Sequence, residues 1–93
     1  MKAGIEKAPW VAEITAIQLH QDKAAFAALF QHFAPRVKAF LMKGGANAAL
    51  AEETTQEVMA TLWTKAHMFD PSRASAATWI FTIARNRSID ALR

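Results

Sequence analysis

Between Asp22 and Gly45 the chain sets Phe26, Leu29, Phe30, Phe33, Val37, Phe40 and Leu41 at offsets of 3, 4, 7, 11, 14 and 15 residues from the first of them. Each step returns to the same side of a 3.6-residue turn, so the spacing predicts one long amphipathic helix whose apolar stripe must be covered by a second layer. Asp22 is placed to cap its first turn, and Lys43-Gly44-Gly45 to stop it, glycine being able to take the left-handed C-terminal conformation. Pro35 falls inside the stripe, where it removes a backbone donor and crowds the preceding turn. The apolar phase resumes in register after it, so a kink is expected there.

The remaining segments read as helices that supply the covering layer. Residues 8–20 carry Trp10, Val11, Ile14, Ile17 and Leu19 at helical spacing and are expected to end near His20-Gln21. Asn47 is a candidate cap for a third helix from Ala48 to Met68, with Ala51, Thr55, Val58, Leu62 and Ala66 turned toward the second. Ser75 is a candidate cap for a fourth, Ala76 to Leu92, with Trp79, Ile80, Ile83, Ala84 and Arg87 on one broad face and Phe81, Arg85, Ser88 and Leu92 on another. Asp90 follows Asn86 and Arg87 at a spacing suited to orient one of them. No stretch alternates with period two. At 93 residues and 53% apolar composition the expected fold is all-α, a compact bundle of about four helices with a kinked second helix, and residues 1–9 are expected to be flexible.

Several function classes fall away on composition. With no cysteine there is neither a disulfide nor a thiolate metal site, and His20, His32 and His67 stand in no metal-ligand spacing. No glycine-rich phosphate loop occurs, so neither an enzyme nor a cofactor or metal is expected. The amino terminus lacks the continuous apolar segment of a signal peptide, and a cytoplasmic protein without membrane insertion is expected.

The net charge of +3 is unevenly spread. Lys and Arg number six against three Asp and Glu in residues 1–49, none against three in 50–64, and five against two in 65–93. An acidic segment followed by a basic one suggests two partner surfaces, one for a cationic protein and one for nucleic acid. On the acidic helix Glu52, Gln56, Met59 and Trp63 form an outer stripe flanked by Glu53 and Glu57, and Met and Trp are enriched where proteins meet partners. In the basic segment Lys65, Arg73, Arg85, Arg87 and Arg93 are interleaved with Phe69, Trp79 and Phe81, and Asn86 sits between two arginines. Cations there can hold phosphates while the amide and aromatic groups meet an unstacked base. The competing reading makes Trp63, Phe69, Trp79 and Phe81 core residues and the charges a solvated surface.

The runs AAFAALFQHFAPRVKAFL, AEETTQEVMATLW and FDPSRASAATWIFTIARNRSIDALR carry a further likeness, most specific in Thr78-Trp79-Ile80, Ile83-Ala84-Arg85-Asn86, Ile89-Asp90 and Arg93. In order and spacing they resemble region 2 of bacterial sigma factors of the extracytoplasmic-function (ECF) class, in the sigma-70 family. The resemblance spans nearly all of the chain beyond residue 10. It implies a helical domain that docks on the β′ clamp helices of RNA polymerase and recognises and melts the promoter −10 element, capturing a flipped base of the non-template strand.

Carried onto matching positions, the docking motif falls on Glu53, Gln56 and Glu57, with Met59 and Trp63 on the same surface. The base-capturing loop falls on Lys65 to Ala74, centred on Phe69. Ile83 and Asn86 form the helix side of the pocket, and Arg73, Arg85 and Arg87 meet the DNA backbone. Glu53 and Thr54 stand where the family usually has aspartate and leucine. The segment AHMFDPSRASAATWIFTIARNRSID is similar to the alphaproteobacterial subgroup that answers photooxidative stress under a zinc-containing anti-sigma protein, which implies an anti-sigma partner. The whole chain is expected to be one region 2 domain, without the family's helix-turn-helix domain for the −35 element and so unable to initiate transcription alone. The alternative function is a helical interaction module whose exposed Met59, Trp63 and Phe69 bind a regulator with no part for nucleic acid.

Overall fold

The computed structural model describes residues 8–91, so the amino-terminal stretch up to residue 7 and the expected contributions of Leu92 and Arg93 lie outside the described residues. Four helices account for most of it: α1, Val11–His20; α2, Lys23–Lys43; α3, Ala48–Thr64; and α4, Ala76–Ala91. A short 3-10 turn, Ala66–Met68, follows α3. No strand occurs among the described residues, and the all-α bundle expected from the periodicity is what forms.

The helix ends follow local chemistry. Asp22 accepts from the Ala25 amide at 3.0 Å and Asn47 from the Leu50 amide at 2.8 Å, each satisfying a donor the first turn leaves free. At the end of α2, Gly45 takes φ 117° while the Ala46 amide reaches back to the Leu41 carbonyl and the Gly45 amide to that of Met42, both at 3.1 Å. This closing pair of bonds needs a residue without a Cβ at its left-handed position. Trp10 opens α1 with a left-handed φ of 69° and packs its ring on His32, at 4.8 Å between centroids, and on the edge of Phe33. The second helix runs through Pro35 as one element, and the Arg36 guanidinium donates to the His32 carbonyl at 2.6 Å in the turn the proline crowds.

Ile14 and Ile17 of α1, Leu29, Phe33, Val37 and Leu41 of α2, Val58, Met59 and Leu62 of α3, and Ile80 and Ala84 of α4 form one core. The stripe on α2 is wider than the layer that covers it, however. Phe30 and Phe40, expected in the core, are 39% and 38% exposed, and Leu19 of α1 stands in solvent. Ala60 on α3 offers only a methyl group across from Phe30, which leaves a groove there. Phe40 instead meets Phe81 of α4 edge-on at 5.5 Å.

Among the described residues one buried side-chain polar atom is uncompensated. Thr55 is 3% exposed and its hydroxyl has no hydrogen-bond partner. Burying an unpaired hydroxyl costs about 1–3 kcal/mol, and valine has nearly the same shape. Thr55→Val is therefore expected to stabilise the domain by about 1 kcal/mol, raising its melting temperature by roughly 4–8 °C in a thermal scan. An unchanged or lower melting temperature would contradict this account.

Candidate interfaces for nucleic acid and for a helical partner

The carboxyl end of α3, the 3-10 turn and the outer side of α4 border an open cavity of about 290 Å³. That lies near the lower end of the roughly 300–1,000 Å³ of small-ligand pockets, space enough for a planar heterocycle. Met68, Trp79 and Ile83 give it apolar walls, and Lys65, Asn86, Arg87 and Asp90 a polar rim. Ile80 and Ala84, both fully buried, anchor the α4 wall to the core, and the Ser75 hydroxyl caps that helix by accepting from the Thr78 amide at 3.0 Å.

The loop leading into α4 is shaped by its own side chains. The Asp70 carboxylate accepts from the Ser72 hydroxyl at 2.7 Å and from its amide at 2.9 Å, while the Asp70 carbonyl accepts from the Arg73 amide at 3.0 Å. The Ser72 side-chain and backbone bonds hold the Asp70 carboxyl below its usual value, with the Arg73 charge adding to them. Stabilising the ionised form makes the turn's contribution present above the ordinary carboxylate pKa and lost only as pH falls through the depressed one, so it is complete at neutral pH.

Seven residues are expected at the nucleic-acid surface, and the structure gathers four of them. Lys65, Ile83, Asn86 and Arg87 line the cavity together. Phe69 does not: its ring is 5% exposed and lies 5.3 Å from that of Trp79, behind the wall. The expectation that it is presented to a base is corrected by its packing, since the chain turns inward after the 3-10 turn and the ring fills the core beneath α4. Arg73 is exposed on the loop, and Arg85 faces the far side of α4 beside Phe40, Thr78 and Phe81. Arg87 Nη2 donates to the Thr61 hydroxyl at 3.0 Å, and Nη1 stands 4.0 Å from Glu57. Its orientation therefore comes from α3; neither it nor Asn86 is bonded to Asp90.

The second surface lies between α2 and α3. A groove of about 590 Å³ is lined by Lys23, Phe26 and Phe30 on one side and Gln56, Met59, Ala60, Trp63 and Thr64 on the other. Trp63 is half-buried and meets the Phe26 ring edge-on at 5.2 Å. Met59, expected to be exposed, is 1% exposed and supports the groove from beneath. Of the five residues expected on the docking face, Gln56, Met59 and Trp63 thus belong to this groove. Glu53 and Glu57 lie around the helix, in a shallow polar depression shared with Arg87 and Asp90. Lys38 binds Glu52 at 3.2 Å and closes the rim of α3 toward α2.

The cavity also holds residues that sequence reasoning passed over. Met68 is 61% exposed on its wall, a methionine beside a helix end whose only sequence signal is that no apolar stripe claims it. In the groove, Phe26 packs against the core as its stripe predicts and also lines the surface, whereas Phe30 of the same stripe stands 39% exposed. Among the described residues no three His, Asp or Glu side chains gather as a metal site, and no helix is long and apolar enough to cross a membrane.

Residues 29–93 match the Sigma-70 region 2 family. The chain is 68% identical over 88 residues to the ECF RNA polymerase sigma factor RpoE of Cereibacter sphaeroides, over 95% of this chain and 49% of that protein. It is 38% identical over 72 residues to ECF RNA polymerase sigma factor SigK of Mycobacterium tuberculosis, over 77% of this chain and 38% of that protein. The solved structure of Rhodobacter sphaeroides SigE in complex with the anti-sigma ChrR matches with a TM-score of 0.87 at 71% identity, covering 90% of this chain and 51% of that one. The chain thus spans about half the length, or less, of the relatives it matches.

Proposed function

The chain belongs to the sigma-70 region 2 family, and its relatives are ECF sigma factors; on that premise we propose that it docks on RNA polymerase and opens the promoter −10 element by capturing an unstacked base. The observation that carries this reading is the cavity, in which Lys65, just past the end of α3, meets Ile83, Asn86 and Arg87 of α4. Met68, Trp79 and Ile83 offer apolar contact to a base, the Asn86 amide both donates and accepts at a base edge, and Lys65 and Arg87 supply charge for the adjoining phosphates. Unstacking a base costs a few kcal/mol, which binding alone can supply, so no catalytic group is called for.

The groove between α2 and α3 suits a helical partner, with Phe26, Phe30 and Trp63 as apolar contacts and Gln56 at the rim. We assign to it the β′ clamp helices of RNA polymerase. An anti-sigma protein of the kind bound to SigE is the natural regulator, and the site of action is the cytoplasm, where polymerase and promoter are.

Asn86→Ala tests the cavity. Asn86 is exposed and lies within α4, where alanine is the better helix former, so stability should hold or rise slightly. Anisotropy of labelled non-template −10 strands, with a β′ clamp-helix fragment present, should show binding weakened by about 1–2 kcal/mol, on the order of 5- to 30-fold. Unchanged binding, or a loss matched by lower melting temperature, would remove Asn86 from the pocket.

A further inference from the structure

The two walls of the cavity are held by different means. The α4 wall rests on the buried side chains of Ile80 and Ala84. The opposite wall, Lys65 and Met68, belongs to a one-turn 3-10 segment closed by the Met68 amide on the Lys65 carbonyl at 2.9 Å and the Phe69 amide on the Ala66 carbonyl at 3.0 Å. A turn so short has little stability of its own.

Ala66 and the Phe69 ring are buried in the core beneath the turn, and one side chain from another helix adds hydrogen bonds to its backbone. Gln18 of α1 donates through Nε2 to the Ala66 carbonyl at 2.8 Å and to the Phe69 carbonyl at 3.1 Å, bridging both ends of the turn from 48 and 51 residues away. Gln18 is an exposed residue, so it contributes to this contact as a donor far more than as packing. It also lies outside the residues, 29–93, that match the family.

We propose that Gln18 is a positioning residue for base recognition: by bridging Ala66 and Phe69 it sets how far Lys65 and Met68 stand from Ile83 and Asn86, and so which base the cavity accepts. The proposal rests on the reading of the cavity as a base pocket. A primary amide suits the task because its two N–H groups serve two carbonyls at once, whereas a carboxylate at the same place would present lone pairs to both. With Ala66 and Phe69 still buried, loss of the bridge lets the backbone carrying Lys65 and Met68 shift without detaching the turn from the core. The cost therefore falls more on discrimination between bases than on folding.

Three variants separate the possibilities. Gln18→Met keeps the length without a donor, Gln18→Glu replaces the donors with acceptors, and Gln18→Lys restores donors. Each is compared with the parent for thermal melting, for backbone amide exchange at Met68 and Phe69, and for anisotropy with −10 strands varied one base at a time. Gln18→Met and Gln18→Glu should exchange faster at those two amides and lose preference for the favoured base by on the order of tenfold, while the melting temperature falls by no more than about 8 °C, the scale of about 1 kcal/mol for partly exposed hydrogen bonds. Gln18→Lys should retain both protection and preference. Unaltered exchange in Gln18→Met would overturn the proposal whatever the DNA results, and so would faster exchange with an intact base preference. A parent that binds all strands alike would sink the base-pocket reading instead, and the discrimination claim with it, while exchange would still report whether Gln18 holds the turn.

Discussion

Phe69→Ala is expected to destabilise the domain by about 3–5 kcal/mol, the range found when a buried phenylalanine is truncated and its cavity collapses only partly. Domains of this size are stable by only about 5–15 kcal/mol in total, so a loss of that order lowers the melting temperature by more than 10 °C. The ring is 5% exposed and packed on Trp79, which itself lines the cavity. Binding of the −10 strand should fall with it, because the Trp79 wall loses its support. Phe69→Leu, which retains most of the buried volume, should recover most of both. Circular dichroism melts run beside anisotropy decide the matter: lost DNA binding at an unchanged melting temperature would mean that the ring leaves the core to meet a base.

Phe69 also marks where reading the sequence reaches its limit. Helix periodicity and caps depend on neighbours within a turn or two, and Asp22, Asn47, Ser75 and Gly45 act at the positions their chemistry predicts. The direction of a side chain in a loop depends on what lies across from it, and for Phe69 that is Trp79, ten residues on. Met59 shows the same effect on a helix. Its spacing from Gln56 and Trp63 places it on their stripe, but the closeness of α2 at that level covers it. The sigma-70 likeness supplied roles for positions and could not say which atoms reach the surface. Glu57 and Arg87 carried opposite charges in two separate expected surfaces, yet they meet, because α3 and α4 pack side by side. Gln18 had no signal at all: a single polar residue near the end of a short helix acquires its partners only from the tertiary fold.

The groove is where a partner-binding effect should be largest. Trp63→Ala is expected to weaken capture of a β′ clamp-helix fragment by about 2–4 kcal/mol, roughly 30- to 1000-fold, the scale for a half-buried tryptophan at the centre of an interface. Truncating Trp63 also removes its edge contact with Phe26, so part of any loss could arise from the fold. Phe30 separates the two effects. It lines the same groove but is already 39% exposed in the free domain, so Phe30→Ala should cost little in melting temperature and still weaken capture. Glu53→Gln and Glu57→Gln probe the other side of α3, where solvent-exposed carboxylates contribute only about 0–1 kcal/mol apiece unless a partner desolvates them. Pull-down or calorimetry with all four variants ranks the surfaces. Strong losses for Trp63 and Phe30 with small ones for the glutamates place the clamp helix in the groove. Losses confined to Glu53 and Glu57 would put the partner on the acidic face, leave the groove free for another ligand, and bring the docked helix against Arg87, where it would compete for Glu57 beside the DNA-capturing cavity.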